Sequence, residues 1–130
     1  MRLMAKSVNA GSLRTPIIVE EYTETQDGDG YAVKGWVNVF GAGKTYRVKW
    51  VNVHGTEVFE AMRLELNEPA TLTGRYSPLI TAQCRLLLAS DAEKTAAEKE
   101  KLYYEIISMD DVENRHQWLE IKVKRKVSAR

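Results

Sequence analysis

Residues 40–45, FGAGKT, match the end of a phosphate-binding loop, whose full pattern is G-x-x-x-x-G-K-[ST]. In such a loop the glycines let backbone N–H groups surround the phosphates, and a helix that follows points its positive end at them. Here Asn38 stands where the first glycine is required, and the residues after Lys44 alternate as in a strand. We therefore expect no bound nucleotide and interpret the segment as a hairpin connection with one aromatic and one cationic side chain.

Other groups that could perform chemistry are scattered. Asp27 and Asp29 begin like a calcium loop, but the glutamate that such a loop needs downstream is missing. His54 and His116 have no Cys or His nearby to complete a zinc site. Cys84, the only cysteine, is expected to be a small buried side chain. The sequence thus predicts no catalytic residue, no metal, no cofactor and no enzymatic activity.

Basic residues fall on single faces of two predicted strands. Arg47 and Lys49 share a face beside the glycine loop, and Lys122 and Lys124 share one near the end of the chain. They are either lysine-rich solvated edges that prevent aggregation, or contacts to a DNA backbone or an acidic partner in a ring. The net charge of +1 and the pI near 7.8 argue against a strongly basic nucleic-acid binder.

Alternating apolar and polar residues recur along most of the chain, most clearly in RTPIIVEEYTE and TYRVKWVNV, while QDGDGY reads as a hairpin turn. The period becomes helical only at about residues 56–66, and residues 90–101 read as either an exposed helical excursion or a flexible loop. We expect a mainly β fold, a small antiparallel six-stranded β-barrel or sandwich with one short α-helix at 56–66.

The bulk properties limit the organisation and location of the protein. At 130 residues the chain is long enough for one domain, which we place over residues 1–130 with flexible tails at 1–10 and 124–130. No apolar run reaches the ~18–20 residues of a membrane helix. The first residues lack the apolar run of a secretory signal, and one cysteine cannot form an internal disulfide. We therefore expect synthesis in the cytoplasm and no membrane contact.

The order of these elements resembles that of the phage head–tail joining family, also called head-closure or stopper proteins. The resemblance covers nearly all of residues 11–123 and is carried by five groups of residues. They are Gly11, Leu13, Arg14, Ile17 and Val19; Asp27, Gly30, Trp36 and Val39; Val48 to Gly55 with Glu57 and Ala61; Tyr104 and Ile106; and Asn114, Arg115, Leu119 and Ile121. Residues 40–43 and 90–101 look like insertions relative to the family pattern.

The resemblance implies a structural virion protein of a tailed bacteriophage or prophage, made in the bacterial host cytoplasm and located at the head–tail interface. Its copies would form a ring that joins the portal or adaptor protein to the tail or tail-completion protein, and the ring would close the channel around packaged double-stranded DNA. Such a β-barrel subunit needs no cofactor.

Within this interpretation, the loop of Phe40, Gly41, Gly43 and Lys44 is our candidate for a plug in the channel. Lys44 would approach DNA phosphates, and Phe40 would pack against its counterparts in other copies. Two alternatives stay open: a tail-terminator or tail-completion protein, and an OB-like module that binds single-stranded nucleic acid. The second would use Tyr46 and Trp50 for stacking and Arg47 and Lys49 for phosphate contacts.

Overall fold

The computed structural model describes residues 10–52 and 68–125. The predicted helix at 56–66 and His54 lie outside the described residues. The two described ranges contain seven strands: β1 (Thr15–Gln26), β2 (Ala32–Asn38), β3 (Tyr46–Asn52), β4 (Ala70–Arg75), β5 (Arg85–Leu88), β6 (Tyr104–Asp111) and β7 (Trp118–Arg125). One short helix, α1 (Ala96–Lys99), and three 3-10 turns, Ala10–Ser12, Ala89–Asp91 and Val112–Asn114, complete the described elements.

Six of the strands close into an antiparallel barrel. They pair in the order β1–β3–β4–β7–β6–β5, and β5 pairs back with β1. The length of β1 makes this closure possible, because its first residues pair with β3, its middle pairs with β5, and its second half pairs with β2. The predicted mainly β, six-stranded barrel is confirmed, and β2 is an additional strand outside the closed ring.

The core follows from the alternation within the strands. In β3 the side chains of Tyr46 and Val48 are buried while those of Arg47 and Lys49 are exposed. The same period of two recurs in β1, β4 and β7, so that their inward side chains meet inside the barrel. The buried cluster includes Ile17, Val19, Tyr46, Val48, Leu72, Leu86, Leu119, Ile121 and Val123. Cys84 is buried with them, as the sequence predicts.

A glycine in β4 provides the space that Tyr46 occupies. A Cβ atom on Gly74 would lie 2.6 Å from Cζ and 2.8 Å from Cε2 of Tyr46, and closer still to its hydroxyl. That hydroxyl donates a hydrogen bond to the backbone carbonyl of Arg75. The phenol therefore lies across β4, and a larger residue at position 74 cannot be accommodated without moving it.

The β1–β2 hairpin extends from the barrel, and its turn is the one that QDGDGY predicts. Asp27 Oδ1 accepts hydrogen bonds from the backbone N–H groups of Asp29 and Tyr31, both at 2.9 Å. Gly30 has a φ of +84°, a value that few other residues adopt without strain. From Glu20 to Gln26, β1 pairs in register with β2.

The segment 90–101 forms an excursion between β5 and β6. Thr95 caps α1: its Oγ1 accepts from the N–H of Glu98, and the carboxylate of Glu98 accepts from the N–H of Thr95. None of the α1 residues is buried. Of the two expectations for this segment, the helical excursion therefore describes residues 96–99. At the other end of the described chain, the sequence predicts a flexible tail at 124–130, but the first two of these residues, Lys124 and Arg125, belong to β7.

Candidate functional site

The glycine loop between β2 and β3 is a tight, internally bonded turn. Asn38 Oδ1 accepts from the N–H of Phe40, and Asn38 Nδ2 donates to the carbonyl of Lys44, both at 2.9 Å. Gly41 and Gly43 take φ values of +110° and +77°, which explains why both positions are glycine. The loop leads directly into β3 and not into a helix. β2 and β3 do not pair with each other, because both run antiparallel to β1 and pair with successive stretches of it. The loop therefore joins two consecutive strands along β1, and the interpretation as a hairpin connection is wrong.

Phe40 packs against its own chain. Its ring stacks on that of Tyr46 with centroids 5.4 Å apart and planes within 6° of parallel, and it lies against the barrel core. The exposed part of the loop is Gly41, Ala42, Gly43, Lys44 and Thr45. Of the candidate plug residues, Lys44 thus presents its charge to solvent, whereas Phe40 is half-buried in this isolated subunit.

The predicted basic residues come together through β4. Its strand neighbours are β3 on one side and β7 on the other, and the register aligns Lys49 with Thr73 and Thr73 with Glu120. One row further along, Val51, Thr71 and Lys122 are aligned in the same way. Side chains that alternate outward on these three strands share one face, so Arg47, Lys49 and Lys122 lie on the same outer surface although they are distant in sequence.

The sequence analysis missed one member of this surface. Arg75, the last residue of β4, is exposed, and its guanidinium lies 5.6 Å from the centroid of the Trp118 ring. The alternation in ATLTGR places Arg75 outward, so this signal was available. We define the basic face as Arg47, Lys49, Arg75 and Lys122. Lys124 is different, because its Nζ lies 3.3 Å from Glu105 Oε1 and its charge is paired.

The aromatic residues of β3 are unsuited to stacking nucleobases. Tyr46 is buried, and burial raises the pKa of its phenol well above the ordinary value. Trp50 is half-buried, meets the Tyr104 ring edge-on at 4.9 Å, and donates its indole N–H to Asn52 Oδ1 at 2.9 Å. Because these rings face the barrel while Arg47 and Lys49 face outward, they form no combined stacking and phosphate surface of the kind an OB-like module needs.

The ionisable groups at the β6–β7 turn serve the turn itself. Asp111 Oδ2 lies 2.6 Å from His116 Nδ1, Asp111 Oδ1 accepts from the His116 N–H, and the imidazole stacks on Tyr76 with centroids 4.5 Å apart. The side chain of His116 is 66% exposed. Within residues 10–52 and 68–125, no group of three or more His, Cys, Asp and Glu side chains is arranged to hold a metal ion.

A cation–aromatic cluster, which the sequence analysis did not identify, holds the hairpin to the barrel. The Arg85 guanidinium lies 4.1 Å from the Trp36 ring centroid and 3.6 Å from that of Tyr103. Its Nε lies 2.8 Å from Glu20 Oε1, and its side chain is only 11% exposed. Burial of the Tyr103 ring and the nearby Glu20 carboxylate raise the pKa of Tyr103. The cluster connects β2, β1, β5 and the residue before β6, so it fixes the base of the hairpin.

Comparison with known proteins supplies further information. In the described part of the chain, no helix has the length and apolar character needed to cross a membrane. No curated protein matches the chain. Among solved structures, protein SF1141 from Shigella flexneri 2a aligns with a TM-score of 0.56 and 22% identity, covering 94% of this chain and 100% of its own. A chain in the virion of a native gene transfer agent particle aligns with a TM-score of 0.49 and 14% identity, covering 90% and 97%.

The similarity to SF1141 concerns the fold, because sequence identity is low. A sequence profile of phage head completion proteins matches residues 8–126, a range that contains every strand of the barrel and the β1–β2 hairpin. Since this profile spans nearly the whole polypeptide and agrees with the resemblance found in its sequence pattern, the chain belongs to the phage head completion protein family.

Proposed function

We propose that this protein is a ring-forming subunit of the head–tail connector of a tailed bacteriophage or prophage. After DNA packaging, copies of the chain assemble on the portal or adaptor protein, close the DNA channel and provide the attachment site for the tail or tail-completion protein. The observation that carries the proposal is the family match over residues 8–126. The protein is made in the host cytoplasm and ends in the virion.

The structure supports this role through the outer surfaces that the barrel presents to partner proteins. The barrel interior is filled by side chains of its own strands, so the available surfaces are its outer faces, its hairpin and its loops. A subunit of this shape serves as a building block, since it contributes rigid lateral surfaces to a larger assembly. Because the barrel is closed, its different strands present several such surfaces in different directions.

Deletion of the gene in the phage or prophage that encodes this chain tests the role. We expect heads that package DNA but fail to retain it or to bind tails, and we expect plasmid-borne expression to restore infectious particles. Mass spectrometry of purified wild-type particles should detect the chain. Normal tailed, infectious particles from the deletion strain would refute the proposal.

The channel-facing role of the glycine loop is a finer part of the same proposal. We place Lys44 near packaged DNA because its charge is exposed at the loop tip while Phe40 anchors the loop on Tyr46. The variant Lys44→Glu should therefore fold normally yet increase DNA loss from filled heads. Lys101→Glu makes the same charge change at an exposed site beside α1 and serves as the control. Equal DNA retention in both variants would remove the loop from the channel.

A further inference from the structure

The β1–β2 hairpin carries an excess of negative charge that the chain does not neutralise. We define the acidic hairpin as residues 20–38. Four of its carboxylates make no ion pair with any residue in the described ranges: Glu21, Glu24, Asp27 and Asp29. Glu20 is paired with Arg85, and Lys34 is the single basic residue of the hairpin. Each unpaired carboxylate is available to a cationic partner outside the subunit.

The same hairpin concentrates exposed apolar side chains. Seven large hydrophobic side chains are exposed among the described residues, and four of them belong to the hairpin. They are Tyr22 at 54%, Tyr31 at 71%, Val33 at 46% and Val37 at 41% exposed. Apolar and aromatic groups of this kind, rimmed by charges, are typical of the surfaces that proteins bury on association.

The basic face shows the opposite charge in the same unpaired state. None of Arg47, Lys49, Arg75 and Lys122 forms an ion pair within residues 10–52 and 68–125. Glu120 is the one acidic residue on the three strands β3, β4 and β7 that carry this face. Val51, 41% exposed, lies beside Thr71 in the register and adds an apolar group.

The strand order makes the acidic hairpin and the basic face two different surfaces, because the face begins on β3, the neighbour of β1, and extends through β4 to β7. Around the six-stranded ring, β7 is three strands away from β1 in either direction, through β3 and β4 or through β5 and β6. The hairpin continues from β1, whereas the basic face spans β3, β4 and β7. A contact between two different surfaces of one subunit is heterologous, and repetition of such a contact closes a ring when the rotation allows it.

We propose that the acidic hairpin of one copy docks on the basic face of the next copy, so that this pair of surfaces is the lateral interface of the assembly. The inference rests on the proposed ring and adds the surfaces that form it. Carboxylates of the hairpin meet Lys49, Lys122 and the arginines of the basic face, and the exposed apolar side chains on the docked face of the hairpin are covered. The Arg85 cluster keeps the base of the hairpin fixed, which reduces the entropic cost of docking.

Zero-length carbodiimide cross-linking tests the contact directly, because it joins a lysine amine to a carboxylate only when the two touch. An equal mixture of ¹⁴N- and ¹⁵N-labelled full-length chains identifies links between copies by mass spectrometry. The experiment is run on free protein at low salt and on purified particles that contain the chain. We expect links from Glu21, Glu24 or Asp29 to Lys49 or Lys122, and the absence of such links in both samples overturns the proposal.

Charge reversal supplies a second, independent measurement. The hairpin variant Glu21→Lys/Glu24→Lys and the face variant Lys49→Glu/Lys122→Glu should each reduce cross-linking and self-association more than about tenfold, because like charges then face each other. Mixing the two variants should restore association, since each reversed surface again meets its opposite. The control Lys101→Glu should behave as wild type. Single variants that associate normally, or a mixture that does not recover, overturn the interface.

The outcomes separate this inference from the proposed function. Connector rings whose cross-links join other surfaces overturn the docking contact and leave the head–tail role intact. Hairpin-to-face links in a chain that phage assembly does not need overturn the role and leave the contact intact. If the face variant instead loses salt-sensitive binding to double-stranded DNA while cross-links never appear, the basic face is a DNA surface and the docking proposal is wrong.

Discussion

The contact between Gly74 and Tyr46 gives the most decisive test of the packing. In Gly74→Ala the new methyl group would lie 2.6 and 2.8 Å from two carbons of the Tyr46 ring, far inside the normal separation of carbon atoms. The ring cannot simply turn away, because Phe40 stacks on it and its hydroxyl is bonded to the carbonyl of Arg75. We therefore expect the ring to be displaced and its hydrogen bond to be lost.

Two costs determine the size of the effect. Adding a methyl group to a tightly packed core costs about 1–3 kcal/mol, and leaving a buried hydrogen-bond partner unsatisfied costs about 1–3 kcal/mol. The free energy of unfolding should therefore fall by about 2–6 kcal/mol. At roughly 4 °C for each kcal/mol in a domain of this length, the midpoint of thermal unfolding should fall by about 8–24 °C.

Urea unfolding followed by fluorescence of the three tryptophans measures this loss. Gly35→Ala is the matched control, because Gly35 also lies in a strand, has no positive φ, and has open space around a Cβ atom. That control should stay within about 1 kcal/mol of wild type. In a Tyr46→Leu background the cost of Gly74→Ala should shrink sharply, since the clashing ring is gone. Equal stabilities of Gly74→Ala and Gly35→Ala would refute the argument.

Three other substitutions test separate parts of the structure. Because burial raises the pKa of Tyr46 above its ordinary value of about 10, the folded chain retains a proton that the unfolded chain loses at higher pH, so stability should fall above pH 10 by up to about 1.4 kcal/mol per pH unit. Tyr46→Phe should flatten that slope in urea titrations at pH 9–11, and an unchanged slope would contradict the assignment. Arg85→Lys should lower the free energy of unfolding by about 1–3 kcal/mol, because lysine cannot both stack between two rings and direct a planar N–H at Glu20. Lys101→Arg is its exposed control, and an equal effect of the two substitutions would contradict the role of the cluster. Asn38→Ala should lower the free energy of unfolding by about 1–2 kcal/mol, because it removes both hydrogen bonds that close the glycine loop. Asn38→Asp should retain the bond from the N–H of Phe40 and lose only the bond to the carbonyl of Lys44. Equal losses of stability in the two variants would show that the bond from the N–H of Phe40 contributes nothing.

The strands and their inward faces could be predicted from the sequence. A period of two in RTPIIVEEYTE and TYRVKWVNV specifies extended chain and says which side is apolar, and the structure buries Ile17, Val19, Tyr46 and Val48 accordingly. The Asp-Gly turn and the rejection of a phosphate loop also follow from local rules, because turn geometry depends on a few neighbouring residues. The family pattern is likewise a matter of residue order along the chain, so the sequence alone carries it.

Which strands pair with each other could not be predicted from the alternation of apolar and polar residues. The pairing of β1 with three neighbours, and the return of β5 to β1 that closes the barrel, depend on contacts between residues far apart in sequence. Arg85 shows the limit most clearly: it looks like an ordinary polar residue in QCRLLLA, yet the fold places it between Trp36 and Tyr103.

The sequence by itself therefore determined which residues lie inside the barrel and which lie outside, because that choice is made by alternation along each strand. Only the tertiary structure decided which outward residues become neighbours. Lys49 and Lys122 share a face because β4 pairs with both of their strands, and the barrel closes because β5 pairs back with β1. The physical reason is that strand register and barrel closure are collective properties of the sheet, whereas burial periodicity is local to each segment.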